Sequence, residues 1–343
     1  MSLKFVNKVR FKGLLAACAA LGFASVTTPA AAFSIVPNFV GTWSTADQTA
    51  IDNVVSLYDG LFTNSVTVNI NFQFGNTSLG ASSTYISFPY NLVSPSSGSV
   101  LQALQADSTA NPGNTDLSAG INSLTSGKSS YVAPVGDGTI SLTTALARTL
   151  GFNAHPPSNN ADSTITFSNA QTFEATGVAT PGAYDLANVA EHELDEALGI
   201  GSVLNVINSN SNASLPNSDL TLEDEFRYSA QGVRCFTFSP SASCYFSYDG
   251  GATDVANFNQ SQGVDFNDWN YANAGCPTSS AYVQNAYGCP DTVITLGESS
   301  PEIQVLQTLG YDLSPSYQSV PEPGTLLLLG TAVAGLMRSR RRR

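Results

Sequence analysis

Five consecutive residues, His192-Glu193-Leu194-Asp195-Glu196, hold the densest chemistry in this 343-residue chain. Leu186 to Leu198 reads as a helix, with Asp185 to cap its start and Gly199 to end it. At about 100° per residue, Leu186, Val189, Ala190, Leu194, Ala197 and Leu198 fill one apolar arc. Asn188, Glu191 and Asp195 fall opposite, in solvent. His192 and Glu196 lie at the edge of the arc, one turn apart, and Glu193 falls inside it. A carboxylate there faces desolvation and needs a partner. The nearest basic residues in sequence are Arg148 and Arg227, so a metal ion is the simplest compensation. His and Glu at i and i+4 present their donors to one point above the helix. This is the H-E-x-x-H zinc pattern with its second histidine replaced by glutamate, itself an acceptable zinc ligand. The intervening Glu193 is placed to take a proton from activated water.

The elements that must position this helix are legible in part. Residues 46 to 62 carry Ile51, Val54, Val55, Tyr58 and Leu61 at helical spacing. Ser65 to Phe74 alternates through Val66, Val68, Ile70 and Phe72 and reads as a half-buried strand. Residues 98 to 107 and 139 to 151 read as helices, the second from Leu142, Leu146 and Leu150. Asp162 to Phe167 reads as a short strand and Glu302 to Leu309 as a last helix. Residues 205 to 300 are rich in Ser, Asn, Gly, Asp and Tyr, with short strand-like runs at Cys235 to Phe238 and Cys244 to Tyr248. There are no repeats of 20–50 residues. The expected class is α+β, one domain over residues 33–318, with a helix-and-strand half to about 204 and an irregular second half pinned by disulfides.

Charge narrows the function. Between 33 and 318 only Lys128, Arg148, Arg227 and Arg234 are basic, against 25 of the chain's 26 acids. Such a surface repels phosphate backbones and excludes nucleic-acid binding. It suits divalent cations and an extracellular life. Residues 1–32 read as a signal peptide: Lys4, Lys8, Arg10 and Lys12, then an apolar run from Gly13 to Val26, then Ala30-Ala31-Ala32 for signal peptidase. Cys18 leaves with it. Cys235, Cys244, Cys276 and Cys289 remain and suggest two local loops, 235–244 and 276–289, among three possible connectivities. Asp249-Gly250-Gly251 and Asp265 to Asp268 are either ordinary turns or oxygen-rich calcium loops. The aromatics from Tyr245 to Tyr248 and Trp269 are either core or a sugar-stacking surface.

At the C-terminus, Val320-Pro321-Glu322-Pro323-Gly324-Thr325 precedes an apolar run from Leu326 to Met337 and then Arg338, Arg340, Arg341, Arg342 and Arg343. An apolar stretch held by a basic cluster is a stop-transfer element. The three-part order resembles the PEP-CTERM sorting signal of Gram-negative bacteria, over residues 319–343. That resemblance implies an exosortase-type enzyme as partner, transient anchoring in the inner membrane through the tail alone, and delivery to the cell surface or its matrix.

A second resemblance covers roughly residues 40 to 315. Tyr184 to Glu193, followed by Ala197-Leu198-Gly199-Ile200-Gly201-Ser202, is similar to the helix of secreted zincin (metzincin-like) metalloproteases. Asp162-Ser163-Thr164-Ile165-Thr166-Phe167 is similar to the edge strand on which such enzymes bind substrate backbone. Asp224-Glu225-Phe226-Arg227-Tyr228-Ser229, Tyr245 to Gly251 and Asp265 to Trp269 resemble a PEP-CTERM-associated branch. The resemblance implies a mixed twisted sheet, a zinc cofactor, a protein or peptide substrate, and His192, Glu196 and Asp224 as ligands. Glu223, Glu225 and His155 are alternatives for the third. Glu193 would be the general base, and Tyr228 would stabilise the oxyanion. The sequence departs from the metzincin pattern in having Ser202 where a third histidine stands and only two histidines in all. A silent zincin scaffold at the cell surface, binding calcium or polysaccharide, is the alternative.

Overall fold

The computed structural model describes residues 32–317 apart from 94–97, 127–137, 158–159, 205–219, 238, 262, 271–281, 295 and 298. The signal-peptide and sorting-tail readings fall outside these residues. The chain is mixed α and β. It opens with β1 (Ser34–Val40), α1 (Thr45–Leu61), β2 (Thr67–Gly75), β3 (Gly80–Thr84) and β4 (Ile86–Asn91). Next come α2 (Val100–Ala110), α3 (Thr115–Ser126), β5 (Thr139–Thr143), α4 (Thr144–Thr149) and β6 (Ser163–Ser168). Two short strands, β7 (Phe173–Glu174) and β8 (Tyr184–Asp185), lead into α5 (Leu186–Leu198).

The largest sheets have four strands, and the one that positions α5 has the order β1-β2-β6-β3. Its first three strands are parallel, and β3 runs antiparallel to β6. Alternation along β2 decides the faces. Val68, Ile70 and Phe72 are fully buried, as are Ile165 and Phe167 of β6, and α1 and α5 lie against this sheet. The other face is polar: Asn38 donates to Asn71, and Gln73 to Thr166. One covered and one wetted face is the arrangement such alternation dictates.

The expected helices at 46–62, 98–107 and 302–309 correspond to α1, α2 and α6 (Pro301–Leu309). Three readings are corrected. Residues 139–151 are not one helix. Thr139 to Thr143 alternates and pairs with β4, and Thr143 then caps α4 by accepting from Leu146 N; the i, i+4 leucines straddle that junction. Asp162 to Phe167 is not an edge strand, because β6 lies between β2 and β3. The edge is β3, a Gly-Ala-Ser-Ser-Thr run with no apolar signal. Third, Glu191 and Asp195 are buried, not in solvent, since α1, α4 and α6 enclose the side of α5 that the sheet leaves open.

The second half holds β9 (Leu220–Thr221), a 3₁₀ turn at Glu223–Phe226, and the sheet of β10 (Arg227–Ala230), β11 (Val233–Arg234), β12 (Tyr245–Phe246) and β13 (Ala256–Asn257). Cys235 and Cys244 are disulfide-bonded. Cys289 is disulfide-bonded too, while Cys276 lies outside the described residues. Trp269 is buried with its indole N–H on Glu302, so it is core and not a sugar platform.

One ion pair locks β2, β6 and α4 together. Asp162 is fully buried and takes both guanidinium nitrogens of Arg148, at 2.8 and 2.9 Å, plus the Asn69 N–H and the Thr144 hydroxyl. Arg148→Met should cost about 3–5 kcal/mol, because it strands a buried carboxylate. Denaturant unfolding of this variant beside Asp162→Asn checks it. A second test concerns Asp107 and Asp312, which face each other between α2 and the chain after α6. Burial and the Asp107 charge push Asp312 up from 3.8 to about 7. Asp107 Oδ2 has no donor unless Asp312 keeps its proton. The folded state then holds a proton that the unfolded chain releases near pH 4. Stability should fall as pH rises from about 4 to about 7, and Asp312→Asn should flatten that part of a Tm–pH profile.

Candidate metal centre

Helix α5 is built as its ends predict. Asp185 accepts from Ala187 N at 2.9 Å, and Gly199 closes the last turn at φ 134°, a conformation that favours glycine. The helix delivers His192 and Glu196 to one wall of a cleft of about 580 Å³. Gly80, Ala81 and Ser82 of β3 form a second wall. Residues of the 263–268 loop, the segment of residues 282–289, Tyr184, Thr292, Ile294 and the turn before β3 complete the lining.

Three donors converge there. His192 Nε2 stands 3.6 Å from Asp268 Oδ1 and 3.9 Å from Glu196 Oε1. One ligand atom from each of the three lies within 4.8 Å of the others. These gaps are too long for hydrogen bonds. Donors sharing one tetrahedral zinc at about 2.0–2.2 Å stand roughly 3.3–3.6 Å apart, so the His192–Asp268 gap matches that spacing and the other two are somewhat wider.

Each donor is held from behind. His192 Nδ1 lies 3.0 Å from the Val283 carbonyl. A carbonyl only accepts, so Nδ1 carries the proton, and in the neutral ring the lone pair sits on Nε2, facing the two carboxylates. Glu196 Oε2 accepts from the Ser82 hydroxyl at 2.6 Å and Oε1 from Asn267 Nδ2 at 3.1 Å. The same Asn267 amide donates to Asp268 Oδ1 at 3.0 Å, and Gln284 Nε2 donates there at 3.2 Å. Burial, then the charges of Glu196 and Asp265, push Asp268 well above the usual carboxylate range.

Glu193 points from α5 into the cleft beneath β3. Among the described residues no hydrogen bond reaches its carboxylate. Burial and Glu196 hold it well above the usual range, and His192 opposes them. The strand passes so close that a Cβ at Gly80 would overlap Glu193 Oε1 and meet Val189 Cγ1 at 2.7 Å.

The other expected site residues lie elsewhere. Asp224 is fully buried on the 3₁₀ turn. Its oxygens accept from the Ser202 hydroxyl at 2.6 Å and from the N–H groups of Val203 and Thr221. It clamps the chain leaving α5, and the third donor in the cleft is Asp268. Glu223 accepts from Gly201 N, and Glu225 faces Arg234. Tyr228 is buried under the Arg234 guanidinium and does not line the cleft. His155 is exposed beside Asn153. Asp249 caps its own loop, accepting from Ser247 Oγ and from the Thr253 N–H and hydroxyl. In the sequence Asp265 to Asp268 reads either as an ordinary turn or as an oxygen-rich calcium loop. Nothing in a separation of 72 residues said that Asp268 would face Glu196.

Residues 319–343 match the PEP-CTERM protein-sorting motif. The protein is therefore an exported one, sorted through its C-terminal tail and processed by an exosortase-type enzyme. No curated protein and no solved structure matches the chain.

Gly80→Ala forces β3 and Glu193 apart and should destabilise the fold by about 1–3 kcal/mol. Gly201→Ala meets nothing within 4 Å and should stay within about 0.5 kcal/mol. Thermal unfolding of the two variants side by side reads the difference.

Proposed function

We propose that this protein is an exported zinc-dependent peptidase of zincin-like architecture, hydrolysing peptide bonds in the cleft between α5 and β3. The observation that carries the reading is the convergence of His192 Nε2, Glu196 and Asp268, with the imidazole tautomer set by the Val283 carbonyl. The mixed sheet with an antiparallel edge strand lying over a site helix supports it, as does export through the sorting tail.

A zinc ion held by His192, Glu196 and Asp268 would supply Lewis acidity to polarise a scissile carbonyl and acidify water. The chain's own residues do the rest. Glu193, one residue after the histidine, accepts the proton of the attacking water and returns it to the leaving amine. Ser82 and Asn267 keep Glu196 turned to the cleft. Among the described residues β3 is hydrogen-bonded to β6 along one side only, which leaves its outer edge for an extended peptide to pair with. Tyr228 takes no part.

A second reading is a silent, cation-binding surface protein. The donor set favours it: one imidazole and two carboxylates leave less net charge on an ion than three imidazoles do, and so acidify water less.

Metal analysis of the purified exported protein separates these readings. Near one zinc per chain is expected, lost in His192→Ala, Glu196→Ala and Asp268→Ala and kept in Asp224→Ala. Glu193→Gln should keep the zinc and lose about 10²–10⁴-fold in peptidase rate. Zinc without hydrolysis of any peptide in a broad library would select the second reading. No zinc, or zinc indifferent to the first three changes, would sink the peptidase reading, and no bound metal of any kind would sink both.

A further inference from the structure

We propose that Glu302, on the last helix and outside the cleft, is the positioning residue that fixes the ligand geometry. One of its carboxylate oxygens staples together the two loop segments behind His192 and Asp268. The proposal rests on the reading of His192, Glu196 and Asp268 as ligands.

Two irregular segments of the loop-rich half supply Asp268 and the groups from that half that hydrogen-bond His192 and Glu196. One carries Asn267, Asp268 and Trp269. The other carries Val283, whose carbonyl sets the His192 tautomer, and Gln284, whose amide holds Asp268. Neither segment has a helix or a long strand to place it. They meet through backbone bonds, Trp269 N to Gln284 O at 2.8 Å and Ala286 N to Trp269 O at 3.2 Å. Glu302 Oε1 then joins them: it accepts from Trp269 Nε1 at 2.9 Å and from Gln284 N at 2.8 Å. Each donor is the neighbour of a site residue, Asp268 in one case and Val283 in the other. One oxygen therefore sets both the third ligand and the hydrogen bond that orients the first.

Glu302 is suited to this by its own placement. It is fully buried in the first turn of α6, right after Pro301, where the helix dipole favours a carboxylate. α6 packs on α3 and α5 through Ile303, Val305, Leu306 and Leu309, all fully buried. The staple is thus anchored to the same helix that carries His192. Ligand orientation from behind is worth about 10–100-fold in metal affinity in comparable sites.

The test compares Glu302→Ala, Glu302→Gln and Trp269→Phe in the exported protein. Gln keeps an oxygen able to accept both bonds; Phe removes one donor and keeps most of the ring volume. Zinc affinity, by chelator competition with zinc alone, should fall about 10–100-fold in Glu302→Ala and less in Trp269→Phe. It should stay within about 3-fold in Glu302→Gln. The readout independent of metal is the ring ¹⁵N spectrum of the metal-free protein, which has only two histidines. His192 should show the single Nδ1–H tautomer in the wild type and Glu302→Gln, and a tautomer mixture in Glu302→Ala. If Glu302→Ala does not fold, Trp269→Phe decides by the same two readouts, in the same direction. Unchanged affinity and tautomer in Glu302→Ala, or equal losses in Gln and Ala, would overturn the proposal. A wild type that binds no zinc would sink the peptidase reading instead, and the tautomer comparison would still decide the role of Glu302.

Discussion

Neutralising the acids of a buried helix is the constraint on which this fold turns. α5 carries Glu191, Glu193, Asp195 and Glu196, and it is enclosed by β3, β6, α1, α4 and α6. An isolated ionised carboxylate in such a place costs several kcal/mol, so each finds its own settlement. Asp195, fully buried, accepts the Tyr58 hydroxyl at 2.7 Å, and burial pushes it well above the usual range. Glu191 takes the Asn188 amide and is pushed up to about 8, chiefly by burial. Both lie on the closed side of the helix, where burial favours their protonated forms. Glu193 and Glu196 face the cleft, where Glu196 is hydrogen-bonded by Ser82 and Asn267.

The irregular half of the chain is best understood as the back wall of that cleft. Its strands are mostly two residues long and would not stand alone. They are held by the Cys235–Cys244 disulfide, by the buried Arg227 donating to the Phe266 carbonyl, and by the Glu302 carboxylate on Trp269 and Gln284. Arg227 also lies over the Phe258 ring at 3.8 Å, which brings the 3₁₀ turn and the Asp265–Trp269 loop to one core. Asp224, on that same turn, secures the exit of α5. A residue that the sequence offers as a ligand is thus a joint between the helix and the loops that oppose it.

What the sequence disclosed follows the range of the forces involved. Helix α5, its caps and the pairing of His192 with Glu196 are local, and all were legible. So were α1, β2 and α6, whose apolar spacing is strong. β3 was not, because a Gly-Ser edge strand has no hydrophobic pattern to betray it. The buried state of Glu191 and Asp195 was missed because a helical wheel assumes one covered face, and α5 has several. Asp268 was visible as an acid in a turn-rich loop, but its meeting with His192 depends on how Trp269, Gln284 and Glu302 pack. Long-range closure of that kind leaves no periodic trace.

Basic residues explain why the cleft acids are left to something other than an ion pair. Three arginines lie in the described body, and each is already engaged. Arg148 is bound to Asp162 and to the carbonyls of Thr67 and Ala154. Arg227 is buried against Phe258 and Phe266, with Glu223 and Asp224 beside it. Arg234 lies over Tyr228, close to Glu225. None reaches the cleft, where Glu193, Glu196, Asp265 and Asp268 gather around one imidazole. An exported protein so poor in internal cations can offset such a cluster by holding protons or by taking a cation from outside. Burial raises Glu191 and Asp195 on the far side of α5, and it raises Glu193 and Asp268 on the cleft side as well. On the cleft side there is space, an imidazole nitrogen turned inward by the Val283 carbonyl, and carboxylates oriented by Ser82, Asn267 and Gln284. Amide and hydroxyl donors spent on these carboxylates hold them turned towards the imidazole nitrogen, and the proposed zinc site rests on that convergence.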